Sequence, residues 1–188
     1  MLRLVGDLAL GTCDLALAFS DVRIAVNASD KEAWLDKALA LAMLRRYDEA
    51  LVSFERALAL DGNYTEAWLG KAHVLCDLER HDEALVAFER ALALDPNFKE
   101  AWLNNGVALQ NLGRYQEALV ACEHALDLDP NYGDAWSNKG VALGNLGRYE
   151  EALSCFERAR QLGHPHAQQA IDQTRRVIEA TRRLKEGR

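Results

Sequence analysis

The chain has few of the residues that interrupt helices, and its cysteines are not arranged as a framework. Only three of its 188 residues are proline, the residue that breaks a helix most effectively. Its four cysteines show no CxxC pair and no other tight spacing (Cys13, Cys76, Cys122, Cys155). This pattern predicts free thiols in a reducing compartment rather than disulfides or a zinc site. Abundant Ala and Leu, with so little proline, favour a helical protein.

Excess positive charge and long apolar runs are missing as well. The formal net charge is −7, which argues against a nucleic-acid module because phosphate binding needs clustered cations. No run reaches the roughly 18 apolar residues of a membrane span. Asp7 and Asp14 interrupt the apolar N-terminal stretch, which a secretory signal would tolerate poorly. We therefore expect a cytoplasmic protein that binds neither nucleic acid nor membranes.

The main feature of the sequence is a repeat with a period of 34 residues. Four blocks, which begin at Lys31, Thr65, Lys99 and Gly133, align without a gap, and eleven positions are identical in all four. The third and fourth blocks agree at 18 of 34 positions. Such self-similarity is typical of repeat architectures, in which each unit buries its apolar surface against its neighbours.

Each block predicts two helices with a break between them. In the third block, residues on one helical face recur at spacings of four, three and three (Trp102, Gly106, Leu109, Leu112). Gly113 and Arg114 interrupt this pattern, and a second apolar face begins at Tyr115. Asp129-Pro130-Asn131 then closes the unit, since proline cannot continue a helix and Asp and Asn favour turns. Small residues such as Gly106 and Ala118 predict close packing of the two helices.

The period and its signature positions resemble those of the tetratricopeptide repeat (TPR) family. The third block carries the family pattern at Trp102, Gly106, Tyr115, Ala118, Ala125 and Pro130, and the resemblance covers residues 31–166. Two departures stand out. Cys122 replaces an expected aromatic residue, and a polar residue precedes the small one in each first helix (Lys37, Lys71, Asn105, Lys139). The resemblance implies an all-α fold, a right-handed α-α superhelix of antiparallel helix hairpins.

The predicted organisation has three parts. Residues 1–30 align only loosely with the repeat and predict a degenerate helical hairpin with a turn at Gly11-Thr12, or else a frayed cap. Residues 31–166 form the four repeats (31–64, 65–98, 99–132, 133–166). Residues 167–188 predict one amphipathic helix with a short basic tail. This helix would cap the array, because a terminal repeat otherwise exposes an apolar face to water.

No arrangement of residues predicts catalysis, a cofactor or a metal site. His164 and His166 are the only close histidine pair, and no cysteine or carboxylate stands beside them at a usual metal-site spacing. Cys122 and Cys155 fall at core positions of the repeat, where packing outweighs nucleophilic chemistry. Since no nucleophile–base pair or paired carboxylates stand out, we do not expect an enzyme.

The resemblance also implies where partners bind. In TPR proteins the first helix of each repeat lines a concave groove, through the second, fifth, sixth, ninth, twelfth and thirteenth positions of the block. Among the residues at these positions, the predicted peptide-binding residues are Leu69, His73, Leu103, Asn104, Val107, Asn111, Asn138, Val141 and Asn145.

Asn104 and Asn138 hold the sixth position of consecutive first helices. A primary amide carries donors and an acceptor, so two such residues could hold the main chain of an extended peptide. This is similar to the asparagine ladder in the repeat superhelix of the O-linked N-acetylglucosamine transferases. Only two rungs are present here, because Asp36 and Gly70 hold the earlier places. The alternative is that both asparagines are solvated polar residues of a helix.

The charge of the groove positions limits the choice of partner. They include no Lys or Arg, which the clamp that captures acidic chaperone tails requires, and they include acids in each first turn (Glu32, Glu66, Glu100, Asp134). A neutral or basic extended segment suits them better, although the helix dipole alone also favours acids there. We expect a module that docks a peptide or helix of a partner protein. The alternatives are a self-assembling structural scaffold and a regulatory arm of a larger complex.

Overall fold

The computed structural model describes the backbone of residues 2–186 and the side chains of residues 11–184 and 186. All regular secondary structure in this part of the chain is α-helical, which confirms the predicted fold class. The helices are α1 (Leu2–Val26), α2 (Lys31–Met43), α3 (Tyr47–Leu60), α4 (Thr65–Asp77), α5 (His81–Leu94), α6 (Lys99–Asn111), α7 (Tyr115–Leu128), α8 (Gly133–Asn145), α9 (Tyr149–Gln161) and α10 (Ala167–Glu186). None of the described helices is long and apolar enough to span a membrane.

The chain divides into two compact units, residues 1–95 and residues 96–188. In the first unit, α2 pairs with α3, α4 pairs with α5, and α1 packs on α2. In the second unit, α6 pairs with α7, α8 pairs with α9, and α10 packs on α9. Each pair corresponds to one block of the sequence, since the blocks begin at the first residues of α2, α4, α6 and α8.

Small residues allow the two helices of each pair to approach closely. Gly106 of α6 lies against α7, where an added Cβ would stand 3.3 Å from Cys122 Sγ. Gly140 of α8 lies against α9, where an added Cβ would stand only 2.6 Å from Phe156. Ala118 and Ala125 of α7 are fully buried. The close packing expected from the small residues is therefore present.

The same turn joins the two helices of every block. The second residue after each first helix takes a positive φ (Arg45, Glu79, Gly113, Gly147). The N–H of the following arginine donates to the carbonyl five residues earlier (Arg46 to Leu41, Arg80 to Leu75, Arg114 to Leu109, Arg148 to Leu143). This pattern is a Schellman motif, which satisfies carbonyls that the helix end leaves unpaired. The arginine then forms a two-pronged ion pair with a glutamate three residues on, as Arg114 does with Glu117.

The four tryptophans hold the loops that connect one block to the next. Each indole Nε1 donates to the main-chain carbonyl six residues upstream, at 2.9–3.0 Å (Trp34 to Ala28, Trp68 to Gly62, Trp102 to Pro96, Trp136 to Pro130). The rings are half-buried. The tryptophan of each block is thus half-buried among the helices and also fixes the connecting loop.

The N-terminal segment differs from the prediction. Helix α1 runs without interruption through Gly11 and Thr12, so the predicted turn at these residues is wrong. A glycine within a helix costs only about 1 kcal/mol relative to alanine, and no proline stands nearby to stop the helix. Cys13 and Ser20 are buried, and the Ser20 hydroxyl donates to the carbonyl of Ala16. Residue 1 and the last two residues of the predicted basic tail lie outside the described residues.

Arg23 of α1 stands where the other repeats have a fully buried alanine. Its guanidinium forms ion pairs with Asp30 and Asp36 at 3.0 and 2.6 Å. Asp30 also accepts a hydrogen bond from the N–H of Ala33 and so caps α2. This N–H bond, together with Arg23, lowers the pKa of the Asp30 carboxyl. The irregular start of the array is thus tied to its first complete repeat.

At the C-terminal end of the described residues, α10 packs on α9. Ala167, Ile171 and Thr174 are buried, and the Thr174 hydroxyl donates to the carbonyl of Ala170. The arginines of α10 are exposed. One of them, Arg183, pairs with Glu179, which lies four residues earlier on the same helix.

Candidate peptide-docking faces

Within each unit the first helices of consecutive repeats lie side by side. Helix α2 packs against α4, and α6 packs against α8. Among the described residues, no comparable packing joins the second helices α3 and α5, or α7 and α9. The first helices therefore form a continuous inner face in each unit. We call these the α2–α4 face (positions 32, 35, 36, 39, 42, 43, 66, 69, 70, 73, 76, 77) and the α6–α8 face (100, 103, 104, 107, 110, 111, 134, 137, 138, 141, 144, 145).

Amide side chains dominate the α6–α8 face. Gln110 Nε2 donates across the helix pair to the main-chain carbonyl of Asn138, at 3.1 Å. Asn138 Nδ2 donates to the carbonyl of Asp134, and Asn145 Nδ2 donates to the carbonyl of Val141, both at 2.9 Å. Each of these two asparagines is thus held against its own helix by one N–H. A second N–H and the side-chain oxygen remain available for other bonds, because a primary amide has two donors and one acceptor oxygen.

Most of the predicted residues on this face are accessible. Asn111, Val141 and Asn145 are exposed, and Asn104, Val107 and Asn138 are half-buried. The face is therefore mixed, with amides beside small apolar side chains.

Leu103 is the exception on the α6–α8 face. Its side chain is only 7% exposed and belongs to a core cluster with Leu126 and Ala135, against which Trp102 and Trp136 pack. The fifth position points between the helices, so a large residue there is covered by its neighbours. Because Leu103 is buried in the core, the prediction that it contacts a peptide is wrong.

The α2–α4 face requires the same correction at Leu69, which is 7% exposed and packs in the core. His73 is exposed, and the edge of its ring meets Phe88 with centroids 5.6 Å apart. Desolvation of the imidazole lowers the pKa of His73, although Asp77 acts in the opposite direction. Leu39 and Met43 are also exposed on this face, so it is more apolar than the α6–α8 face.

The lysines that depart from the family pattern join adjacent repeats. Each reaches a carboxylate 16 residues earlier, on the preceding second helix or its equivalent in α1 (Lys37 to Asp21, Lys71 to Glu55, Lys139 to Glu123). The same ammonium groups lie 5.6–5.8 Å from the centre of a tryptophan ring in their own repeat. In the third block the position holds Asn105, which is buried. The constant 16-residue spacing of acid and lysine was visible in the sequence, but its role was missed.

The thiols and histidines do not form a reactive group. Burial raises the pKa of Cys122 to about 12 and that of Cys76 to about 11. The rings of His164 and His166 lie 6.0 Å apart. Among the side chains that the structure describes, those of residues 11–184 and 186, no three His, Cys, Asp or Glu are placed to hold a metal ion.

Solved structures with the same fold include those of two proteins, YrrB and MamA. One is the crystal structure of YrrB, a TPR protein with an unusual peptide-binding site, at 28% identity and a TM-score of 0.76 over 89% of this chain and 87% of that one. Another is MamA, at 21% identity and a TM-score of 0.78 over 84% and 92% of the two chains. A MamA fragment from Desulfovibrio magneticus RS-1 also has a TM-score of 0.78, at 24% identity over 86% and 92%. These similarities confirm an all-α fold of the TPR type.

No curated protein matches the chain at a significant level. Family models described as tetratricopeptide repeat match residues 7–65, 41–103, 100–132 and 133–163. Together these matches cover residues 7–163, which include part of α1 and nearly all of the four blocks. The chain therefore belongs to the tetratricopeptide repeat family.

Proposed function

We propose that this protein is a non-enzymatic interaction module that docks an extended peptide segment of a partner protein on its α6–α8 face. The α4 side of the α2–α4 face, which carries the exposed His73, is proposed as a second docking surface. The observation that carries the proposal is the row of amides on α6 and α8, of which Asn138 and Asn145 are fixed by bonds to their own helices. Fixed side chains lose little conformational entropy when a ligand binds.

The amide chemistry suits the main chain of a peptide. An extended peptide presents N–H and C=O groups along its length, and an amide can accept from the first and donate to the second. Packed helices are about 8–10 Å apart, which corresponds to about three residues of extended chain at about 3.3 Å each. Asn104 and Asn138 would therefore contact main-chain groups about three residues apart. Such contacts hold a backbone without reading its side chains, so recognition would tolerate many sequences.

Two valines provide the apolar part of the face. Val107 is half-buried and Val141 is 39% exposed. Both stand three residues after an asparagine rung, on the same side of their helices. We expect them to contact small or medium apolar side chains of the ligand, which gives a preference for such residues between the hydrogen-bonded positions.

The charges favour a neutral or basic ligand. Glu100 and Asp134 stand at the N-terminal ends of α6 and α8, and the chain as a whole carries −7. The neighbouring Lys139 already pairs with Glu123. A ligand with clustered carboxylates would meet like charge on this face without a free cation to offset it.

Peptide binding has a precedent at moderate sequence similarity. YrrB is 28% identical over most of both chains and is a TPR protein with an unusual peptide-binding site. This supports a peptide as the class of ligand but not its sequence. The four free thiols are consistent with a role in a reducing compartment, and we propose the cytoplasm.

The test begins with selection of peptides from a random displayed library on the immobilised protein. The affinities of the selected peptides are then measured by calorimetry for wild type and for the variant Asn104→Ala/Asn138→Ala. Loss of about three or four hydrogen bonds at about 0.5–1.5 kcal/mol each predicts at least a tenfold weaker binding. The matched control is Gln116→Ala/Gln173→Ala, which removes two exposed amides from α7 and α10.

We expect the control to bind like wild type and both variants to keep the helicity and melting temperature of the wild type. The amide proposal is wrong if the Asn variant binds selected peptides as tightly as the wild type. The docking function itself is contradicted if no peptide is enriched from the library.

A further inference from the structure

Helix α1 is apolar on two opposite sides. One side packs on α2 through Cys13 and Ser20, which are buried. The other side carries four large apolar residues that are 62–84% exposed (Leu15, Phe19, Val22, Val26). An apolar side of a helix is normally buried against another element. Within the described part of the chain, no helix covers the second side.

On its exposed side, α1 has the repeat positions that the first helix of the same pair covers in the other repeats. Ala16 is exposed, whereas the alanines 34 residues apart at the same repeat position are fully buried (Ala50, Ala84, Ala118, Ala152). Phe19 is 65% exposed, whereas its counterparts are 2–5% exposed (Ser53, Ala87, Ala121, Cys155). In those repeats the covering helix is the first helix of the same pair. The second half of α1 therefore corresponds to a second helix that lacks its first.

An open groove lies beside α1, where the first helix of a complete repeat would pack. It has a volume of about 350 Å³ and lies between α1 and α2, with Ala16 and Phe19 on one wall and Leu39 and Met43 on the other. Leu39 and Met43 are 43% and 68% exposed. The groove thus continues the apolar side of α1 onto the first complete repeat, and a helix laid along α1 would cover both.

We propose that a second copy of this chain covers this surface, with α1 of one copy lying along α1 of the other in a symmetric dimer. The pairing would give each copy the helix that its first, incomplete repeat lacks.

The spacing of the exposed residues favours a helix as the occupant, and the same helix in particular. Leu15, Phe19, Val22 and Val26 follow steps of four, three and four, which is the seven-residue pattern of helices that pair along their length. In the sequence the same steps continue upstream at Leu8 and Val5, with Thr12 between. A helix of 25 residues is about 37 Å long, so a pattern of this length is unusual for a contact with a short loop or strand. The pattern is complementary to itself, as a symmetric interface requires.

The four exposed apolar residues of α1 form a stripe along the helix (Leu15, Phe19, Val22, Val26). The residues beside this stripe would allow two copies to approach. Ala18 and Ala25 are exposed and small, and no charge stands within the stripe. Arg23 is held by Asp30 and Asp36, and Asp21 is held by Lys37. Asp14 precedes Leu15 by one residue, which places it about 100° around the helix. Two α1 helices could therefore meet without opposing like charges.

The opposite end of the array is a poorer match for this surface. Helix α10 exposes Val177 and Leu184, but Arg176 and Arg183 stand among them, and Gln169 and Gln173 are exposed as well. The C-terminal end is thus capped by a largely polar helix, and the N-terminal end is not. This difference favours contact between two N-terminal ends over head-to-tail stacking, which would give open chains of copies.

The test is the mass of the full chain in solution by light scattering, from low micromolar to several hundred micromolar concentration. We expect the mass to rise to a limit of twice 21.0 kDa for wild type, and expect Leu15→Ser/Phe19→Ser to stay monomeric. The matched control is Val52→Ser/Val86→Ser, which removes two similarly exposed valines (58% and 56%) from α3 and α5. It should dimerise like wild type. Each variant is checked for helicity, and the alanine pair replaces the serine pair if serine melts α1.

Three results would overturn the proposal. The first is a wild type that stays monomeric over the whole range, which would leave the surface to a different protein. The second is a mass that grows without limit, which would indicate head-to-tail stacking, or a dimer that Val177→Ser/Leu184→Ser abolishes, which would place the contact on α10. The third is a dimer that survives the Leu15 and Phe19 substitutions.

Discussion

Substitution of Gly140 by alanine tests the packing of the two helices within the fourth repeat. Gly140 lies in the middle of α8, where alanine would be the better helix former by up to about 1 kcal/mol. The new Cβ, however, would stand 2.6 Å from one ring atom of Phe156 and 2.9 Å from two others. Carbon atoms in favourable contact are about 3.5–4.0 Å apart. The ring must therefore retreat by about 1 Å.

The magnitude follows from these two opposing effects. Phe156 is 5% exposed, so its ring has no free space to enter, and overpacking of this kind costs about 1–3 kcal/mol. After the gain in helix propensity, we expect Gly140→Ala to lower the free energy of unfolding by about 1 kcal/mol. Gly106→Ala is the matched control, because its Cβ would stand 3.3 Å from the polarisable Sγ of Cys122. There the propensity gain should prevail, with a stabilisation of up to about 0.5 kcal/mol.

Urea denaturation followed by circular dichroism measures both changes under the same conditions. Repeat proteins do not always unfold in two states, so the midpoints are compared with the slopes. If Gly140→Ala proved as stable as Gly106→Ala, or more stable, the argument that contact with Phe156 requires glycine would be refuted. A double-mutant cycle with Phe156→Cys, which copies the pairing of the third repeat, should show favourable coupling of about 1 kcal/mol.

Three further predictions concern the turns, the caps and the thiols. Glu79 takes a positive φ that glycine adopts without strain, so Glu79→Gly should stabilise by about 1 kcal/mol and Gly113→Ala should destabilise by a similar amount in urea titrations. Asp30 has a lowered pKa because it accepts the N–H bond at the start of α2 and pairs with Arg23. Its contribution is present above its ordinary pKa of about 4 and is lost as the pH falls through the folded value. Asp30→Ala should therefore lower the melting temperature at neutral pH and have a smaller effect in strong acid. A thiol reagent at about pH 8 should modify Cys122 only as fast as the protein unfolds, because burial raises its pKa to about 12; rapid labelling of the native protein would contradict this.

Much of the fold could be predicted because the same sequence pattern occurs in four blocks, and each block folds into the same pair of helices. The first helices begin at the positions where the blocks begin. The Leu-Gly-Arg segments became turns because only certain residues take a positive φ without strain, and glycine stands there in the third and fourth blocks. The buried positions of Cys122 and Cys155 also followed from their places in the pattern.

The N-terminal helix could not be predicted in the same way, because no second copy of its pattern exists to compare. Gly11-Thr12 is a weak turn signal, and the packing of Cys13 and Ser20 on α2 outweighs it. This is an instance of tertiary contacts overriding local preference.

The sequence predicts which positions of the first helices form the candidate site, but it does not predict how exposed each side chain is. The family pattern gives the direction in which a residue points, whereas exposure depends on the size of its neighbours. Leu69 and Leu103 are covered for this reason, while Asn104 and Val107, on the same helix as Leu103, stay accessible. The bond from Gln110 to the carbonyl of Asn138 depends on how α6 packs on α8, which no pattern within one helix reveals.

The most direct test of the central claim is to map a selected peptide by NMR on the isotopically labelled protein. Peptide docking on the first helices predicts shifts concentrated at the side-chain amides of Asn104 and Asn138 and the methyl groups of Val107 and Val141. Shifts confined to the second helices, such as those around Val120 of α7, would contradict it.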